Sequence, residues 1–258
     1  MSNYAGVTSE SVRTSAFFAF AFLLALIPPA ASAQAGSFEV AQLGHPVGTA
    51  SFNFVATSDG YDSTSLVRVA MQGLTYDLSK TETLSAANEL KHVQLSAIVN
   101  GSAVNVTAKP DSAQLLLNVS ADGRSSTSRL DAHAAAVFLP DFDPGALETL
   151  LALGVSRNNR DLWAILPKQS GAAAGQVAPV ELATYADEQG TLDGTPITVH
   201  HLVATIAGSK TDLFSGPENQ LLQAELPQQG FALVRKGFVL KPSARPMAAP
   251  AAEVPPAS

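Results

Sequence analysis

Asp131 and His133 stand two apart in "SRLDAHAA", and on an extended strand residues two apart share a face. An acid that orients an imidazole is half of a hydrolytic triad; the other half is an activated nucleophile. That half is missing, because the chain has no cysteine and no Gly-x-Ser-x-Gly elbow. Chance accounts better for the pair, and Asp131 and His133 would be the first residues to mutate in a search for a dispersed hydrolase-type site. The other histidines are His45, His92, His200 and His201. Neighbours on a strand point to opposite faces, so His200 and His201 cannot chelate one metal ion from the same strand. Asp141 and Asp143 flank Phe142 and could begin a calcium loop, but no further oxygen ligands follow at the spacing such loops use. Their position before a helix explains them electrostatically. Glycine-rich phosphate loops are absent, and Thr57-Ser58-Asp59-Gly60 is only a turn. The expectation is a protein without enzyme activity, cofactor or metal.

Charge points the same way. With 22 acidic against 15 basic residues, a net charge of −7 and no basic cluster, nucleic acid is not an expected partner. The run Ala16 to Ile27, "AFFAFAFLLALI", is too short for the ~20 residues of a membrane-spanning helix. Arg13 precedes it, and Pro28-Pro29 and then Ala31-Ser32-Ala33 follow, which is the layout of a signal peptide. Residues 1–33 are therefore read as a signal peptide cleaved between Ala33 and Gln34, leaving no transmembrane anchor in the mature chain. Without cysteine, neither a disulfide nor a lipidated residue at the cleavage site is available. The N-x-S/T sites at Asn100, Asn105 and Asn118 are expected by chance in a chain this rich in Ser and Thr.

The elements that must carry any site are strands. In "VQLSAIVNGSAVNVTA", Val93, Leu95, Ala97 and Val99 alternate with other residues, Asn100-Gly101 turns the chain, and Val104 and Val106 resume the alternation. Leu115, Leu117 and Val119 follow and end at Asp122-Gly123. The same pattern places Phe52, Phe54 and Ala56 before Asp59-Gly60, then a return run through Leu66, Val67, Val69 and Met71, then Leu74, Tyr76 and Leu78. It returns with Val180 and Leu182, turns at Asp193-Gly194, and closes with Leu222, Ala224 and Leu226, then Phe231, Leu233 and Arg235. This grammar predicts about ten to fourteen strands in a curved or closed antiparallel sheet, a single domain over residues 34–241. Lys168 to Gly175 reads as a flexible connector and residues 242–258 as a disordered Ala/Pro-rich tail.

"DFDPGALETLLALG" breaks the pattern. Asp143 is a credible N-cap, Pro144 suits the first helical position and Gly154 is a stop. Leu147, Leu150 and Leu151 form one stripe. A helix of about ten residues is unstable alone, so the stripe must dock on the concave face of the sheet. Trp163 lies in a run that is apolar on both faces and belongs to a central strand or to the lining of a groove. Leu147, Leu150, Leu151 and Trp163 are thus the candidate groove or lid.

The run "TPITVHHLVATIAG" followed by "DLFSGPENQLLQAELPQQGFALVRKGFVL" resembles the closing strands of exported single-domain β proteins related to the periplasmic lipoprotein carriers. Asp212-Leu213-Phe214 and Leu221-Leu222 carry the likeness, with Pro217-Glu218-Asn219 in the turn. "HAAAVFLPDFDPGALETLLAL" is similar to their helical excursion and "GTASFNFVATSDGY" to their opening hairpin. The resemblance implies a strongly curved, half-open barrel with a short helix on its concave side, in the periplasm of a Gram-negative-type bacterium. It also implies an apolar or amphipathic ligand in the concavity, a lipid or a lipidated protein. The alternative is a structural or adhesive envelope module with a closed core.

Overall fold

A computed structural model describes residues 34–168 and 173–242. The signal segment, half of the connector and all but the first residue of the Ala/Pro tail lie outside them.

An eight-stranded antiparallel meander opens the fold: β1 (Gln34–Gln42), β2 (His45–Thr57), β3 (Gly60–Met71), β4 (Leu74–Ser85), β5 (Leu90–Val99), β6 (Ser102–Asp111), β7 (Gln114–Ala121) and β8 (Arg124–Asp131). Two-residue turns join several of these strands, and Asn100-Gly101 and Asp122-Gly123 supply the positive φ that such turns require. The short β9 (Ala136–Phe138) then leads into the helix α1 (Pro144–Ser156) and returns as β10 (Leu162–Pro167), which pairs in parallel with β9. A second meander follows, with β11 (Gly175–Thr184), β12 (Glu188–Leu192), β13 (Thr195–Ile206), β14 (Ser209–Ser215), β15 (Leu221–Leu226), β16 (Phe231–Arg235) and β17 (Phe238–Leu240). β16 pairs with β1 and fuses the two meanders into one large curved sheet. No ladder among the described residues joins β8 to β9, β10 or β11. One side-chain bond spans the gap, from Ala174 N to Ser128 Oγ at 2.9 Å, so the barrel stays open.

The described residues form seventeen strands, more than the alternation suggested, because β9, β12 and β17 are too short to write a period. The ladders explain the alternation. Phe52, Val67, Leu78, Leu95, Val106 and Leu117 point into one main core, while the opposite face of β2–β8 carries Ser, Thr and Asn in register. Neighbours on that face bond to each other: Ser96 Oγ donates to Asn105 Oδ1 at 2.9 Å and Thr127 Oγ1 to Asn118 Oδ1 at 2.8 Å. Hydroxyls and amides thus wet the outside of a chain with few charges. Leu221 and Leu222 are both buried because two cores exist. Leu221 enters the main one, while Leu222 joins Val199, Phe214 and Phe238 in a small cluster where β12, β13 and β17 meet β14 and β15.

α1 begins as its sequence dictates. Asp143 Oδ1 accepts from Gly145 N at 2.9 Å and Ala146 N at 3.2 Å, with Pro144 in the first turn. The helix runs past Gly154 to Ser156, so that glycine is not a stop. A Cβ there would sit 2.9 Å from Leu182 Cδ2, which makes Gly154 a packing residue against β11. Asn158 and Asn159, both at positive φ, turn the chain instead. The helix packs against β2, β3, β9, β10 and β15 and is buried on nearly every side.

Gly48 in β2 is a close-approach glycine. A Cβ at this position would lie 2.0 Å from the carbonyl oxygen of Arg68 and 2.9 Å from Val69 Cα on the paired strand. Gly48→Ala is therefore expected to destabilise the fold by about 1–3 kcal/mol, the cost of overpacking, in a urea or thermal unfolding experiment. An unchanged midpoint would show that β2 and β3 separate easily at this point.

Candidate functional site

The inward face of β3 and β4 is interrupted by charge. Lys80, Glu82, Ser63 and Ser65 all project from it and are fully buried, with Ser65 opposite Lys80 and Ser63 opposite Glu82. Lys80 Nζ lies 2.9 Å from Glu82 Oε2 and 2.6 Å from Oδ2 of Asp143. Asp143 thus does two jobs: one oxygen caps α1 and the other meets the buried ammonium. Above the tile, a Cβ on Gly145 would approach Ser65 Oγ to 2.5 Å, so the first helical turn rests directly on the serines.

Burial alone would push the Lys80 pKa down, but the carboxylates of Asp143 and Glu82 outweigh it and hold the ammonium charged. Burial raises the Glu82 carboxyl, with Lys80 opposing. A lysine fixed in its charged form is not a general base for Ser63 or Ser65, so the tile lacks the activated nucleophile of a hydrolase. Its ion pairs tie the start of α1 to β4. Lys80→Met should cost about 3–5 kcal/mol by stranding two buried carboxyl groups. Adding Glu82→Leu should restore part of that loss, a non-additivity that a double-mutant cycle in urea would measure. Simple additivity would mean that the two groups do not sense each other.

A second buried carboxyl projects from α1. Glu148 Oε2 accepts from Leu221 N at 2.7 Å, Oε1 accepts from the Gln34 side-chain amide, and Arg235 stands nearby. Burial pushes its pKa up to about 7, against the backbone bond from Leu221 and the charge of Arg235. The folded chain then holds a proton that the unfolded chain releases near pH 4.5, so stability is greatest below that pH and falls as pH rises to about 7. The loss is roughly 3 kcal/mol at most. Denaturation midpoints between pH 5 and 7 should fall with rising pH, and Glu148→Gln should flatten the slope. A midpoint that rises over this range would contradict the assignment.

The residues singled out from sequence fall in several places in the fold. Leu147, Leu150 and Leu151 are packed into the main core. Trp163 is half-buried on β10, and its indole stacks on the His133 ring with centroids 3.7 Å apart and planes 12° apart. β8 ends at Asp131, so His133 lies beyond the strand and is engaged with Trp163. His200 Nδ1 is 3.0 Å from Asp187 Oδ1. His201 Nε2 is 2.8 Å from Asp212 Oδ1, and its ring stacks on Phe214. The two imidazoles engage different carboxylates, and no group of three or more His, Asp or Glu among the described residues is placed to hold a metal ion.

The opening of interest lies elsewhere. A crevice of about 290 Å³ has a floor of Leu95, Ala97, Val104, Val106 and Val119, the inward residues of β5, β6 and β7. Leu139 to Asp141 and Leu166 to Lys168 wall it, and Tyr76 and Gln176 stand at its side. Burial pushes the Asp141 carboxyl up. The Tyr76 hydroxyl donates to the Asp141 carbonyl at 3.3 Å, and burial and the neighbouring carboxylates of Asp141 and Asp143 keep it protonated. The floor residues were legible as a strand pattern, but the walls come from segments far away in the chain. A wider depression of about 890 Å³ on the outer face, over Ser51, Ser79 and Ser96, is a surface trough beside the exposed Arg68–Asp77 pair. No described helix is long and apolar enough to cross a membrane.

No protein-family model, curated protein or solved structure matches the chain.

Proposed function

We propose that this is a non-enzymatic exported protein that binds a small apolar or amphipathic ligand in the crevice over β5, β6 and β7. The observation that carries the reading is an apolar floor on the inward face of a curved, open sheet, flanked by the polar groups of Tyr76, Asp141, Lys168 and Gln176. Its volume of about 290 Å³ lies at the lower end of ligand pockets, ~300–1,000 Å³, which suits one short chain better than a multi-acyl lipid. Each methylene buried there would contribute about 0.8 kcal/mol. Lys168 at the mouth suits a ligand with an anionic end, such as a fatty acid or the exposed acyl group of an envelope component. α1 is core in this reading, so the lid formed by Leu147, Leu150 and Leu151 is dropped in favour of the β5–β7 floor.

Export rests on the signal-like segment in residues 1–33. Gln34 is already paired with Phe54 in the β1–β2 ladder, so cleavage after Ala33 would leave β1 whole. The periplasm is the compartment that this reading assigns. The second reading, an envelope module with a closed core, draws its support from the complete burial of the helical leucines.

Uptake of a fluorescent short-chain fatty acid separates the two. Ala97→Leu narrows the crevice and should weaken uptake roughly tenfold, about 1.4 kcal/mol, without lowering the melting temperature. Leu150→Ala should cost about 2–5 kcal/mol of stability and leave the affinity of the folded fraction unchanged. If the parent takes up no probe, or if Ala97→Leu binds as well as the parent, the crevice is not the site.

A further inference from the structure

A second cavity, of about 560 Å³, opens where β1, β2, β3, α1 and β16 meet the β4–β5 and β14–β15 turns. Its character is opposite to that of the crevice. Three amide side chains, Gln34, Asn88 and Gln220, face it together with the Arg235 guanidinium, and Phe54 and Tyr61 contribute aromatic surface. We propose that this cavity binds a neutral polyhydroxylated ligand of mono- or disaccharide size.

Three features support that class. The first is charge balance: the side chains lining the cavity include one cation, Arg235, and one carboxylate, Glu218. The buried carboxylate behind it, Glu148, has both oxygens occupied by Leu221 N and Gln34. A strongly anionic or cationic ligand would lack compensation here, whereas amides present a donor and an acceptor each and match hydroxyl groups. The second is unspent donor capacity. Arg235 gives one N–H to the carbonyl of Leu221 at 3.1 Å and one to that of Ala35 at 2.7 Å, and these bonds fix the guanidinium plane between β15 and β1. A guanidinium has five N–H groups, so donors remain for a ligand.

The third is that the turns carrying the amides are held before any ligand arrives. Asn88, at φ 60°, is set by its own N–H to Ser85 O at 2.9 Å, while Ser85 Oγ accepts from Ala87 N and Glu89 N. Gln220 is fixed by Gly216 N to its carbonyl at 2.9 Å and by Glu218 N to its side-chain oxygen at 2.9 Å. The Gln220 side chain also lies over Gly216, where a Cβ would come within 2.6 Å of it. A rigid polar ring over an aromatic wall limits the ordering cost of binding a ligand rich in hydroxyls.

The test uses the full-length protein titrated with cellobiose, maltose and N,N′-diacetylchitobiose, each up to its solubility limit, with amide shifts followed by NMR. Saturable shifts at Asn88, Gln220 and Arg235 with at least one sugar are expected. Loss of one hydrogen-bonding side chain in Asn88→Ala or Gln220→Ala should weaken that sugar roughly tenfold at an unchanged melting temperature. Ala97→Leu in the apolar crevice should leave sugar binding as it is, so failure of either site is seen separately. No saturable shift with any of the three sugars, or equal affinity in the parent and the Asn88→Ala, Gln220→Ala double variant, would overturn the proposal.

Discussion

The Lys80–Asp143 ion pair is the contact on which the interior depends. A charged lysine inside a sheet is tolerated only where its desolvation is repaid by close opposite charge, and here the nearer partner is the residue that caps the helix. The same carboxylate therefore fixes where α1 begins and which part of the sheet it begins over. Moving the helix by one turn would part Asp143 from the ammonium and leave Glu82 as the remaining carboxylate beside it. Hydrophobic packing of Leu147, Leu150 and Leu151 adds energy, but it is non-directional and would accept several registers. The buried charges select one.

That placement shapes what remains open. α1 lies against β2, β3, β9, β10 and β15, and its leucines belong to the main core. The helix is not among the elements that wall the crevice over β5–β7, where the covering comes from the Leu139–Asp141 and Leu166–Lys168 segments. The crevice thus lies beneath the linker that follows β9 and the end of β10. Glu148 of α1 reaches Leu221 and Gln34, and the polar cavity, lined in part by Thr149 and Ala152 of the same helix, lies beside that contact.

Much of the sheet was legible because a solvated outer face and a buried inner face impose a period of two, and turn dipeptides such as Asn100-Gly101 mark its ends. The helix start was legible for the same local reason, since Asp143 and Pro144 act within one turn. The charged tile was legible and still easily misread. Tyr76, Leu78, Lys80, Glu82 and Leu84 are all inward in the β4 alternation, but a lysine and a glutamate look like solvent positions until a partner is known. That partner, Asp143, is some sixty residues away. The three-residue strands β9 and β17 and the stacking of His133 on Trp163 depend on tertiary context alone. The cavities were invisible for the same reason: each draws its lining from many elements, and no local pattern records which of them will meet.

The most direct test of the functional reading is native mass spectrometry of the mature protein, purified from its own envelope without detergent. The account predicts a small apolar or amphipathic molecule retained at one per chain, released on denaturation, and depleted in the Ala97→Leu variant. Ligand-free protein that also fails to take up short-chain fatty acid would contradict it and leave a packed structural module as the better description.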